Sequence, residues 1–180
     1  MSEIMDGLCR AGIIQTDMEY IKKKKGNEGL NTLDKVLKEM GINLTQIKSM
    51  RSRDQVPLSM RCKFLDACLK VFDGKIEKIR EMGREAPKAS MLIKMLYPFH
   101  LSPNYALTHA SRVWRDHYSV GEIVILESGP GHALFALKNF RTTKLMCVFL
   151  AGAFAGVGDL TRAKNLVCTE VKCVHAGHPW

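Results

Sequence analysis

The chain of 180 residues has no apolar run approaching the roughly 20 residues that a helix needs to span a bilayer, so no membrane span is expected. Its first residues, MSEIMDGLCR, lack the basic region and apolar core of a signal peptide, and the cytoplasm is the expected location. Internal repeats, low-complexity tracts and long Ser/Gly/Pro linkers are also missing, which excludes a solenoid array and a string of tethered modules. Phosphate-binding loops are absent too. Gly129-Pro130-Gly131 is a turn between two strand-like runs, and Gly152 to Gly158 has neither G-x-x-x-x-G-K-[ST] nor a strand leading into a Gly-rich helix entry. A dinucleotide cofactor is therefore not expected.

Acid is the minority charge, with 18 Asp/Glu against 27 Lys/Arg and a formal net charge of +9. Such an excess favours nucleic acid when it is clustered, because affinity comes from counterions released at neighbouring phosphates. Residues 1–90 and 91–180 carry excesses of +5 and +4, and only Lys22 to Lys25 forms a run. That run reads as the solvated end of a helix, complementing its negative terminus, so a nucleic-acid partner is not expected.

What is present is apolar substance, 46% of the residues, enough for a domain with a sizeable core. Six cysteines without an export signal read as free thiols or ligands rather than a disulfide framework. Leu30, Leu33, Val36, Leu37 and Met40 predict a short amphipathic helix that Asn31 or Thr32 can cap and Gly41 stops. A second helical stretch runs from Pro57 to Met82, with Asp73-Gly74 as an interruption. APKASMLIKMLYPFH is predicted helical to about Tyr97, because Pro98 restricts the residue before it, and NYALTHASRVWRDHYSVG forms another helix. From Gly121 the period becomes two: Glu122 to Glu127 and His132 to Lys138 form a hairpin around Ser128 to Gly131. Thr143 to Val157 is apolar nearly all round and rich in Gly and Ala, a buried helix with a small-residue face for close packing. Asn165 to Val174 alternates as a strand.

Two groups of residues carry chemistry. Cys147, Glu170 and Cys173 are donors of the kind that bind zinc tetrahedrally, and one more donor, His175 or His178, would complete a structural site. In an ideal strand Glu170 and Cys173 point to opposite faces, so the chain must turn between them, as His175-Ala176-Gly177-His178-Pro179 allows. Between residues 97 and 118, Tyr97, Phe99, His100, Tyr105, His109, Trp114, His117 and Tyr118 bring aromatic and imidazole groups together. These read as a packed helix pair or as the wall of a small-molecule pocket, which combines apolar surface with a few orienting polar groups. A nucleophilic Cys168 with His132 or His175 lacks any local signature.

Tyr97-Pro98, the hairpin, CVFLAGAFAGV over 147–157 and E-x-x-C-x-x-x-G from Glu170 to Gly177 together resemble the 4-vinyl reductase domain. This family belongs to a wider group of ligand-binding domains that includes haem nitric-oxide-binding domains and a transport-particle component. The resemblance covers roughly residues 60–180, most specifically the C-terminal third. It implies an intracellular small-molecule sensor or carrier, often a homodimer, that passes a change in packing to a downstream regulatory protein. In relatives that recognise aromatic compounds, a structural zinc is held by a helix Cys, the Glu and Cys of E-x-x-C, and a last Cys. Cys147, Glu170 and Cys173 match the first three, and the last would fall beyond Trp180, so His178 or His175 is the expected substitute. Haem is not expected, because the Tyr-x-Ser-x-Arg signature of the nitric-oxide-binding relatives is missing, although His100, His109 and His117 are axial ligands by residue type.

The expected fold is α+β, with N-terminal helices and a small, largely antiparallel sheet packed against helices. Residues 1–56 are expected to be a helical extension and residues 57–180 a small-molecule-binding domain, the two forming one unit. The expected ligand is small and apolar or aromatic, buried against Phe99, Tyr105, Trp114 and Phe149, with His100 or His109 orienting a polar atom. The metal residues are Cys147, Glu170, Cys173 and His178, with zinc as the ion. The alternatives are a reductase-type enzyme acting on a vinyl or tetrapyrrole-like substrate, and a dimeric interaction module joined through the small-residue helix.

Overall fold

Ala11, Ile14, Met18 and Ile21, followed by Leu33 and Leu37, recur at three- and four-residue steps, and all are buried on one side of helix α1, Ala11–Glu39. The computed structural model describes residues 4–89, 102–161 and 165–178. Helix α1 corrects the expectation of a short helix capped at Asn31 or Thr32. The turns before Asn31 are helical, and the Thr32 hydroxyl donates back to the Glu28 carbonyl at 3.1 Å. The break lies instead at Gly26, with φ 65° and ψ −157°, a conformation that glycine adopts without a Cβ clash. Lys22 to Lys25 thus end a helical segment and are solvated there.

A short helix α2, Leu44–Ser49, is capped by the Asn43 side chain, which accepts from the Thr45 and Gln46 amides at 2.9 and 3.2 Å. Strands β1, Leu8–Arg10, and β2, Gln55–Pro57, pair antiparallel with Cys9 opposite Val56. Helices α3, Leu58–Val71, and α4, Ile76–Ala89, are separated at Asp73 (φ 55°) and Gly74 (φ 74°), where the sequence predicts the interruption. The helix expected to reach Tyr97 is followed as far as Ala89, and its remainder lies outside the described residues.

Helix α5, Pro103–His117, starts with Ser102, whose hydroxyl accepts from the Tyr105 amide. Its Ser111 hydroxyl donates to the Ile123 carbonyl, tying it to strand β3, Glu122–Gly129. That strand pairs antiparallel with β4, His132–Lys138, through a register shift at Leu126. Helix α6, Lys144–Asp159, is capped by Thr143. The architecture is α+β: six described α-helices with two antiparallel two-stranded sheets. Among the described residues no helix is long and apolar enough to cross a membrane.

Helix α6 packs along α4 at backbone distance. A Cβ on Gly152 would run into the Arg80 carbonyl, one on Gly156 into the Arg84 carbonyl, and one on Gly83 into the Phe149 carbonyl. The small-residue face is therefore used within the chain, against α4. Because the obstructing atoms are backbone, Gly152→Val cannot be absorbed by a rotamer change. It is expected to destabilise the protein by about 2 kcal/mol or more, read as a lowered urea midpoint at constant m.

Among the described residues one large core joins the first 56 residues to the rest. Ile14, Ile21 and Leu33 from the first 56 residues share it with Phe64, Ile79, Met146 and Phe149. Trp114 joins α5 to the neighbouring elements, stacked on Tyr118 at 4.4 Å and edge-to-face with Phe140 at 4.8 Å. A further correction concerns residues 165–173, which form no strand. A strand needs a free sheet edge at pairing distance, and this segment instead runs beside α6 and the hairpin, leaving a space of about 300 Å³ between them.

Candidate metal centre and ligand cavity

Three donors meet beside α6. Cys147 stands in the first turns of that helix, fixed by the Thr143 cap, in which the Thr143 hydroxyl accepts from the Met146 amide at 3.3 Å. Glu170 comes from the irregular segment, and Cys173 opens the 3-10 turn Val174–Ala176. The Cys173 carbonyl accepts from the Ala176 amide (2.9 Å) and the His178 amide (3.3 Å), and Gly177 at φ 86° completes the turn. Since the segment is not a strand, the alternation that would separate Glu170 from Cys173 does not apply.

The donor atoms of Cys147, Glu170 and Cys173 all lie within 4.8 Å of one another. Tetrahedral zinc with thiolate and carboxylate ligands sets donors roughly 3.3–3.8 Å apart, so a small contraction suffices. The electrostatics agree. Burial pushes the Cys147 thiol up to about 12, with Glu170 and Cys173 adding to the rise. A divalent cation beside Cys147 would reverse that penalty. The set is thus a group that could hold a soft divalent metal ion. Cys168 borders the same space without belonging to the group.

Neither expected fourth donor belongs to this group. His178 is exposed. His175, two residues after Cys173, is half-buried, and its Nε2 is buried without a hydrogen-bond partner.

On the other side of α6 lies a cavity of about 600 Å³, within the size range of small-molecule sites. Its apolar wall includes Ala106, Ala110, Val113 and Trp114 of α5 with Phe149 and Phe154 of α6, and Ile123 is the contribution of β3. Leu150 and Phe154 border both this cavity and the space beside the metal group, so α6 is their common wall.

Of the expected ligand residues, Trp114 and Phe149 line the cavity. Trp114 is oriented by its Nε1–H, which donates to the Val120 carbonyl at 2.9 Å. Tyr105 and His109 do not line it. Their rings stack on each other at 3.9 Å on the neighbouring side of α5, and the His109 Nδ1 lies 3.0 Å from the Tyr105 carbonyl. Phe99 and His100 lie outside the described residues. The imidazole at the wall is His117, whose Nδ1 lies 2.8 Å from the Val113 carbonyl. Burial holds His117 below its ordinary value, and the Arg10 charge works in the same direction. Counting helical steps from Trp114 finds this face: residues 106, 110, 113, 114 and 117 lie on one side, and 105 and 109 lie beside it.

No family model, no curated protein and no solved structure matches this chain.

Proposed function

We propose that the protein binds a small, largely apolar molecule in the cavity between α1, α4, α5 and α6, and that a structural zinc beside α6 holds that wall in place. The observation that carries this reading is the cavity itself, about 600 Å³, walled by alanines and aromatics, with an oriented Trp114 at its side. Zinc would be held by Cys147, Glu170 and Cys173, and His175, which stands outside that group with a buried and unpartnered Nε2, would move in as the fourth donor. A closed four-ligand shell leaves no position for a substrate, so the ion would tie residues 165–178 to α6 rather than perform chemistry. The resemblance to the 4-vinyl reductase domain supports the same sensor or carrier reading. Ligand burial against Trp114 and Phe149 would alter how α6 sits, and that shift is what a downstream protein would read.

Titration of the full chain with 1-aminoanthracene, a fluorescent tricyclic arene, tests the reading. Saturable binding at about one molecule per chain is expected, with quenching of Trp114 followed in a Trp180→Phe background. Ala110→Trp, which fills the cavity from α5, should weaken binding, read from the fluorescence of the probe itself, at least about tenfold while the far-ultraviolet circular dichroism stays unchanged. Non-saturable binding, or binding indifferent to Ala110→Trp, would overturn the proposal.

A further inference from the structure

The end of the cavity where α1 begins differs in character from the rest of its wall. Arg10, Thr16, Ser52 and Arg53 border it there. The backbone brings them together: the Ala11 amide donates to the Asp54 carbonyl at 2.8 Å and the Gly12 amide to the Ser52 carbonyl at 3.0 Å. Glycine permits this approach, since a Cβ on Gly12 would stand 2.9 Å from the Ser52 carbonyl oxygen. The loop carrying Arg53 is thereby pinned beside Arg10.

The nearby polar groups are mostly committed elsewhere. Asp54, the acid next to Arg53 in sequence, accepts from Arg51 through its Nε at 3.2 Å and its backbone amide at 2.8 Å. Gln15 donates to the Ile47 and Met50 carbonyls. His117 engages the Val113 carbonyl through Nδ1. Glu19 and Arg53 are both exposed where they border the cavity, Arg10 is half-buried, and Glu19 forms no ion pair with either arginine. Arg10 and Arg53 therefore present two guanidinium groups at one end of an apolar cavity, neither in an ion pair among the described residues.

We propose that the ligand is an amphiphile whose apolar body lies against Trp114, Phe149 and Phe154 and whose single oxyanion head, of the carboxylate kind, pairs with Arg10 and Arg53 at the mouth. This inference rests on the cavity being a ligand site. The planar guanidinium fork matches a carboxylate in two parallel charge-assisted hydrogen bonds, and one anion relieves the repulsion between the two cations. A neutral head of the same shape gains neither effect. The arginines thus select by charge, and the alanine and aromatic wall selects by size.

The test compares 2-naphthoate with its neutral counterpart 2-naphthamide as displacers of bound 1-aminoanthracene from the full chain. At low ionic strength naphthoate is expected to displace the probe at roughly one tenth of the naphthamide concentration. The double substitution Arg10→Gln/Arg53→Gln should bring the two within about threefold. Their ratio is the readout, so a general loss of affinity does not imitate the effect. Should the double variant fold poorly, raising the salt with the unmodified protein is the second measurement, since screening narrows a charge-based preference and leaves a shape-based one. Equal displacement by both compounds while the probe binds would overturn the anionic head and leave the cavity reading standing. Failure of the probe to bind saturably would remove both.

Discussion

Replacing Cys173 with serine in the full chain is expected to reduce zinc from about one per chain, in protein purified without chelator, to a trace. Cys147→Ser should do the same, because each thiolate supplies one ligand of a set whose donors lie within 4.8 Å. Cys168→Ser is the control. It borders the same space, and burial raises it as it does Cys147, but it stands outside the group, so zinc should be retained. An ion that binds only the folded state at a free concentration a thousandfold above its Kd contributes about 4 kcal/mol. For a chain of this size that corresponds to a fall in Tm of roughly 10 °C in the two ligand variants. Zinc retention should also weaken on acidification. Cys147, held near 12 without a cation beside it, must lose its proton to bind, so binding releases protons. Zinc at trace level in the unmodified protein, or equal zinc in all three variants, would remove the metal from the proposal.

Arg61→Met and Asp17→Leu are each expected to cost about 3–5 kcal/mol in urea unfolding. Both side chains are 0% exposed, and Arg61 Nη1 stands 2.5 Å from Asp17 Oδ2. The pair is fully buried, so each charge relies on the other in place of water. The guanidinium also lies over the rings of Phe149 at 4.5 Å and Phe64 at 5.8 Å. Losing one partner strands the other's charge in apolar surroundings, whereas the double variant Asp17→Leu/Arg61→Met leaves no charge behind and should recover most of the loss. A double variant as costly as the sum of its parts would show that packing, not charge pairing, sets the effect.

Much of the fold was legible because its signals are local. Asp73-Gly74 marked the break between α3 and α4, since both adopt positive φ. The Ser128 to Gly131 turn marked the hairpin, and the glycines and alanines of α6 announced close packing before its partner was known. In the first half of helix α1 only its lysine end was read, because KKKKGNEG separates the stripe of Ala11, Ile14, Met18 and Ile21 from the one at Leu33 and Leu37. The alternation of residues 165–173 promised a strand, but alternation describes the segment and not whether a sheet edge lies beside it. Of the expected ligand residues, Trp114 and Phe149 border the cavity, whereas Tyr105 and His109 lie on the same helix outside its lining.

By itself the sequence determined the α+β class, most helix limits, the hairpin, and which residues are chemically able to hold a metal, because propensity, capping and donor chemistry act within a few residues. Tertiary structure alone decided that Cys147 meets Glu170 and Cys173, that Asp17 meets Arg61 across 44 positions, and that Arg53 is set beside Arg10 at the mouth of the cavity. Those encounters depend on how helices and loops pack once their apolar faces are buried, and no short stretch of chain contains that information.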